Sequence, residues 1–246
     1  MTPAWLRGGR AAVVFLTRVP VGGFPYQDND FRWAAAWFPL VGAVIGLVLA
    51  WVLVAATGLG MVAAAWLAIV TSLLLTGGFH EDGLADTADA LGGGYTSERV
   101  LEILKDSRIG AFGGMALVTS LSLRATLMAS CSLEAVVVAE SLSRLFPVLL
   151  MARLPYVTSP DKAKSDSVRR VGLAQVVGAV GASAVIAAAG VAAGLEPMGV
   201  VLRLVAASCV TVFLGWRFVR RAGGITGDFL GTTQQITLLI LLMDPR

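Results

Sequence analysis

Long apolar runs, each closed by a short polar or glycine-rich stretch, set the rhythm of this chain. A membrane-spanning helix needs ~20 largely apolar residues, and residues 33–57, 60–76 (a short run), 109–130, 135–154, 172–195 and 200–218 meet that measure loosely. A last run, 232–243, is short and carries Gln234 and Gln235 near its start, which leaves a seventh span or a half-inserted helix open. Residues 5–17 are expected to lie at the membrane interface. No internal repeat stands out. Gly42/Gly46 and Gly190/Gly194 have the spacing that lets helices approach closely, although a chain so rich in alanine and glycine produces that spacing by chance as well. The pattern predicts an all-α polytopic integral membrane protein with six to seven transmembrane helices, a single domain over residues 1–246.

Composition agrees. Hydrophobic residues make up 57% of the 246 positions and glycine a further 28, so the apolar share is about two thirds against ~45–50% in soluble domains. Charged residues are 14% and the mean hydropathy is +0.79. One soluble core of this length could not bury so much apolar surface, which excludes a soluble enzyme, a nucleic-acid module and a disordered tail. Cys131 and Cys209 sit in or beside apolar runs with no ligand pattern near them, arguing for neither disulfide nor metal. After Arg7 and Arg10 the apolar stretch is cut short by Arg18, so no secretory signal peptide is expected.

Charge sets the orientation. With six or seven spans, one side carries the N-terminus and the segments between spans two and three, four and five, and six and seven. That side holds Arg7, Arg10, Arg18, Arg32, Arg99, Lys105, Arg108, Arg153, Lys162, Lys164, Arg169, Arg170, Arg217, Arg220 and Arg221, 15 of the 19 basic residues. Arg124, Arg144 and Arg203 fall inside spans and only Arg246 falls on the other side. The positive-inside rule places the rich side in the cytoplasm, with lipid bilayer as the surroundings and no nucleic-acid partner.

The chemistry concentrates in residues 77–110, a cytoplasmic loop with two short helices. Gly77 and Gly78 break the preceding helix and Gly92–Gly94 end the next. Along residues 81–91, Asp82, Asp86 and Asp89 fall at i, i+4 and i+7, within an arc of about 60°. Like charges so placed repel, and a hard divalent cation is the natural counter-charge, since Mg²⁺ takes carboxylate oxygens together with substrate phosphates. The plain alternative is a solvated acidic face. His80, the single histidine, precedes the stripe as a general base, a substrate contact or a loop residue. Glu81 points about 100° off the stripe and is expected to face solvent. A second helix over 97–106 leads to KDSRIGAFGG, where Lys105 and Arg108 stand beside a glycine-rich turn whose N–H groups suit phosphate oxygens; positive-inside anchoring is the alternative for both cations. Glu140 and Arg144, four apart in the fourth span, form an intramembrane pair that is either structural or functional, with Arg124 close enough to join them. Asp228 repeats the glycine-plus-aspartate style in GGITGDFLGTTQQ. P-loop and thiolate–zinc patterns are absent from the sequence.

The run GGFHEDGLADTADAL resembles the signature of cobalamin synthase, the adenosylcobinamide-GDP ribazoletransferase family. LTRVPVGG, FPLVGAVIG, KDSRIGAFGG and GGITGDFLG with its glutamine pair are similar to that family too, in the same order along nearly the whole chain. Glu81 stands where the family commonly has an aliphatic residue and Ala90 where it has glycine, and Thr237 falls near where a glutamate is common. The resemblance implies a Mg²⁺-dependent phosphotransferase of the cytoplasmic (inner) membrane, Mn²⁺ being a substitute, working late in cobalamin biosynthesis. Such an enzyme joins adenosylcobinamide-GDP to α-ribazole or its phosphate and releases GMP. On this reading Asp82, Asp86 and Asp89 hold metal, one of them accepting the hydroxyl proton, and Lys105 and Arg108 bind phosphate oxygens. His80, Asp106, Arg18 and Asp228 are further candidates for substrate or metal contact. Oligomerisation and association with other late-pathway enzymes stay open. A phospholipid-forming CDP-alcohol phosphotransferase is the nearest competitor, but its DGxxAR…GxxxDxxxD arrangement is absent from the sequence. A transporter would place its acidic site near the membrane midplane, not in a loop.

Overall fold

A computed structural model describes residues 2–23, 25–157 and 171–244; Lys162, Lys164, Arg169, Arg170 and Arg246 of the charge count lie outside the described residues. The described residues form helices α1 (Ala4–Leu16), α2 (Asp28–Ala55), α3 (Met61–Thr76), α4 (Phe79–Gly93), α5 (Ser97–Ile103), α6 (Ala111–Ser130), α7 (Leu133–Leu142), α8 (Leu145–Arg153), α9 (Leu173–Ala192), α10 (Pro197–Ala222) and α11 (Gly227–Leu242), with a 3₁₀ turn at Thr57–Leu59. Five stretches are long and apolar enough to cross a membrane: Asn29–Ala55, Ala111–Ser130, Leu133–Arg153, Leu173–Ala192 and Pro197–Ala222. The chain is a multi-pass membrane protein.

Six crossings result when a bent helix pair is counted as one span, and the run at 232–243 is not among them. The helix that begins in α3 turns by 92° into α4, so the two make a sixth span only if the bent pair is taken as one. Gly77 and Gly78 both adopt left-handed backbone (φ +77° and +69°), a conformation that costs side-chain-bearing residues too much to occur twice in succession. The bend makes the pair a broken span or a re-entrant segment. The run at 232–243 falls within α11, which is only 16 residues long and is neither peripheral nor half-exposed. Thr232, Thr233, Gln234, Gln235 and Thr237 are all buried, packed among α4, α6, α7, α8 and α10.

Other boundaries shift by a few residues. α2 starts ahead of position 33 because the Asp30 carboxylate accepts the Gln27 N–H (3.1 Å) and pairs with Arg7 Nε (2.8 Å), capping the helix and tying α1 to it. The expected span over 135–154 breaks at Ser143–Arg144 into α7 and α8. Gly42 and Gly46 do bring helices together: a Cβ added there would meet the α7 backbone at Ser141 and Val137, 3.0 and 2.7 Å away. Gly190 packs on Val138, whereas Gly194 faces open space.

Candidate active site

The polar segments assigned to one side by charge converge at one end of the bundle. A cavity of about 620 Å³ there is lined by Asp82 and Asp86 of α4, Leu101 of α5, Leu104–Ser107 just after it, Val157, and Thr226–Asp228 at the start of α11. Paired backbone bonds hold its back wall, Val157 N–H donating to Ile225 O and Ile225 N–H to Pro155 O, both at 2.8 Å.

Glycines bring the acidic groups together. At Gly83, an added Cβ would lie 2.9 Å from the carbonyl oxygen and 3.0 Å from the Cα of Asp228; at Gly231 it would lie 3.2 Å from the His80 backbone. With no side chain at either crossing, α4 and the start of α11 touch backbone to backbone, and Asp228 comes to face the same cavity as Asp82 and Asp86. Thr232 Oγ1 seals the contact by donating to Gly83 O (3.0 Å). Partial burial, with Asp82, Asp228 and Asp89 nearby, pushes the Asp86 carboxyl up to about 6.

The third aspartate of the stripe is used otherwise. Asp89 accepts the N–H groups of Gly110 (2.7 Å) and Gly113 (2.8 Å), one on each oxygen, and so caps the N-terminus of α6. The glycine-rich turn at 109–114 therefore gives two of its donors to Asp89 instead of to a phosphate. Lys105 and Asp106 line the cavity. Arg108 does not: it grips Asp106 (Nη2–Oδ2 2.7 Å), is 86% exposed, and holds the Asp106 carboxyl down at about 2. Arg18 lies apart from both cavities described here, its backbone N–H donating to Leu75 O (2.7 Å) and its guanidinium lying across Gly77.

His80 lines a second cavity, of about 310 Å³, which shares Asp82, Gly227 and Asp228 with the first. Burial, with the guanidiniums of Arg144 and Arg124 close by, holds His80 well below its ordinary value, so it is neutral at physiological pH. Among the described residues no three His, Cys, Asp or Glu side chains are already drawn into a metal-ligand cluster. The donor set still fits Mg²⁺, which binds through one or two carboxylates and completes its shell with water and substrate phosphates.

Comparison with known proteins bears on what this site does. A family model described as Cobalamin-5-phosphate synthase matches residues 8–243. The chain is similar to the adenosylcobinamide-GDP ribazoletransferases of Vibrio cholerae (39% identity over 241 residues, 94% of this chain and 90% of that one) and Ralstonia pickettii (39% over 245 residues, 94% and 91%). It is likewise similar to that of Leptothrix cholodnii (38% over 250 residues, 92% and 89%). The chain belongs to the cobalamin-5-phosphate synthase family. It is a transferase of cobalamin synthesis. No solved structure matches it.

In this chain, the group that sequence reasoning misplaced is Glu81, which joins a buried ionic network reaching the second cavity at Arg144. Glu81 is buried, not solvent-facing: it accepts from Arg124 Nη1 (3.2 Å) and Gln235 Nε2 (3.1 Å). Arg124 Nη2 bonds Ser72 Oγ (3.1 Å) and Glu140 Oε1 (2.6 Å), while Arg144 Nη1 bonds Glu140 Oε2 (2.7 Å). Two carboxylates and two guanidiniums thus alternate in one buried chain; Glu140, Arg144 and Arg124 were expected together, and Glu81 is the fourth member. The departure of Glu81 from an aliphatic residue was the available signal, since it answers the otherwise surplus Arg124. Arg221 had no signal at all. It reaches Leu91 O (3.1 Å) and Gly94 O, closing the C-terminus of α4.

Proposed function

We propose that this protein transfers the adenosylcobinamide-phosphate group from adenosylcobinamide-GDP to a hydroxyl of α-ribazole or its phosphate, releasing GMP, with Mg²⁺ (or Mn²⁺) held in the 620 Å³ cavity. The observation that carries this reading is the meeting of Asp82 and Asp86 from α4 with Asp228 from α11 and Lys105 in the lining of one cavity. The relatives' printed activity supplies the two substrates.

Asp82 and Asp86, one turn apart on one helix face, are the residues that would hold the cation. Asp89 instead fixes the entry of α6 and so the position of the basic segment before it. A cation held there would supply charge neutralisation for the phosphates of the transition state. Lys105 approaches the phosphates, and the Arg108–Asp106 pair stands at the rim. Asp228, on the facing helix where the two cavities meet, accepts the proton of the attacking hydroxyl. The hydroxyl oxygen bonds to the phosphorus attached to the cobinamide arm, the bond from that phosphorus to the bridging oxygen breaks, and GMP leaves with that oxygen. His80, neutral and buried, orients the acceptor; Arg18 braces the turn at Gly77. The site faces the cytoplasm at the inner membrane on this reading, which the excess of basic residues in the loops supports. Product analysis with adenosylcobinamide-GDP, α-ribazole and Mg²⁺ tests the reading: a cobalamin-sized product and equimolar GMP are expected, both abolished by chelator. GMP without the joined product would contradict it.

A further inference from the structure

The smaller cavity differs in kind from its neighbour. Phe15 and Phe38 stack at 5.5 Å between ring centroids (14°), Phe79 meets Phe15 edge-on at 6.2 Å, and His80 lies against Phe79 at 3.8 Å. These rings line the cavity together with Met151. Against this apolar lining stands one buried cation. Arg144 is 2% exposed, and although Nη1 is bound to Glu140, its Nε has no hydrogen-bond partner. A buried donor left unmade costs free energy, and this one belongs to a side chain lining a cavity of about 310 Å³. That volume lies at the low end for ligand sites, ~300–1,000 Å³: room for a flat bicyclic ring, and far too little for a corrin.

Resting on the transfer reaction read above, we propose that this cavity is the acceptor-base subsite. It takes a neutral, planar aromatic heterocycle with an acceptor ring nitrogen, stacked among Phe15, Phe38 and Phe79 and receiving a hydrogen bond from the Arg144 guanidinium. The two cavities share Asp82 and Asp228, so a ribose attached to the buried ring emerges where those carboxylates stand, its hydroxyl directed at the phosphates of the donor. Size and ring nitrogen become the specificity determinants of the acceptor: purely aliphatic alcohols find no partner for the aromatic wall, and a cationic ring meets Arg144.

The test uses purified full-length protein in detergent. Free benzimidazole is expected to compete with α-ribazole and not with adenosylcobinamide-GDP. Indole, of the same shape but lacking the acceptor nitrogen, should compete about tenfold less well. Phe15→Ala, at a position 38% exposed and so tolerant of truncation, should raise KM for α-ribazole about tenfold and leave KM for adenosylcobinamide-GDP within about twofold. Met151→Trp, which fills the cavity, should do the same; should it fail to fold, Phe15→Ala decides. Competition between benzimidazole and the GDP substrate, or an unchanged α-ribazole KM in Phe15→Ala, would overturn the proposal. Failure of the transfer reading looks different: wild-type protein would form no joined product, while benzimidazole binding, followed by its own fluorescence and lost in the cavity variants, would still hold for the cavity.

Discussion

At the level of single residues, charge placement divides the acidic groups into two kinds. Asp82 and Asp86 face a cavity and repel; Glu81 and Glu140 are matched by Arg124 and Arg144. The helical spacing in the sequence correctly put Asp82 and Asp86 on one face, because that follows from 100° per residue. It could not show that Asp89 turns to α6 or that Glu81 meets Arg124, since both depend on partners 21 to 43 positions away. Asp82→Asn and Asp86→Asn should each lower turnover by about 10²-fold or more with normal yield and folding. Asp86 carries a carboxyl raised to about 6; its folded value exceeds the unfolded one, so the ionised group costs stability above pH 6 and nothing below the unfolded value, ~4. In chelator, Asp86→Asn should therefore raise Tm at pH 8, and that gain should fade on acidification to pH 4. A constant gain across the range would show that charge repulsion is not its source. Glu81→Gln, for all its distance from the acidic stripe, is expected to lower Tm. It leaves Arg124 with less counter-charge in a buried setting, where breaking a pair costs about 3–5 kcal/mol. Glu140→Gln should cost as much, and adding Arg144→Met should recover part of it, because Arg124 and Glu81 then remain as a one-to-one pair.

Elements position these residues through short, specific contacts. The turn at Gly77–Gly78 aims α4 across the bundle, Asp89 holds the start of α6, and Arg221 closes the end of α4. Glycine breaks were plain in the sequence, as were two short helices between residues 77 and 110. The role of α11 was not: its polar Thr/Gln face reads as a poor span, and only burial against α4 and α7 explains it. Gly83→Val is expected to push Asp228 away, since its side chain would land on the Asp228 backbone. Turnover should collapse while the helical content of the protein, read by circular dichroism, is kept. Asp89→Asn should behave differently from its neighbours on the stripe, costing about 1 kcal/mol of stability through the α6 cap and reducing turnover less than Asp82→Asn. Equal loss in the two variants with equal Tm would return Asp89 to the metal.

Over the whole molecule, the charge count and the fold agree on which segments share an end. The N-terminal helix, the 77–110 segment, the turn after α8 and the start of α11 all line the two cavities, although run lengths alone did not show that residues 232–243 fall in a helix of only 16 residues. That arrangement was legible because lysine and arginine report topology directly; the cavities were not, because they form between helices distant in sequence. With Cys131 and Cys209 replaced, Tyr95→Cys, at a position 91% exposed, should react with an impermeant thiol reagent only after the membrane is opened, and Glu196→Cys in intact cells; the reverse pattern would invert the orientation. The assembled site is tested most directly by Mn²⁺ binding, followed by electron paramagnetic resonance in the presence of adenosylcobinamide-GDP. Wild type, Asp89→Asn and Asp228→Asn should bind the ion with similar affinity, whereas Asp82→Asn and Asp86→Asn should each lose it by about tenfold or more. Retained binding in both Asp82→Asn and Asp86→Asn would contradict the account.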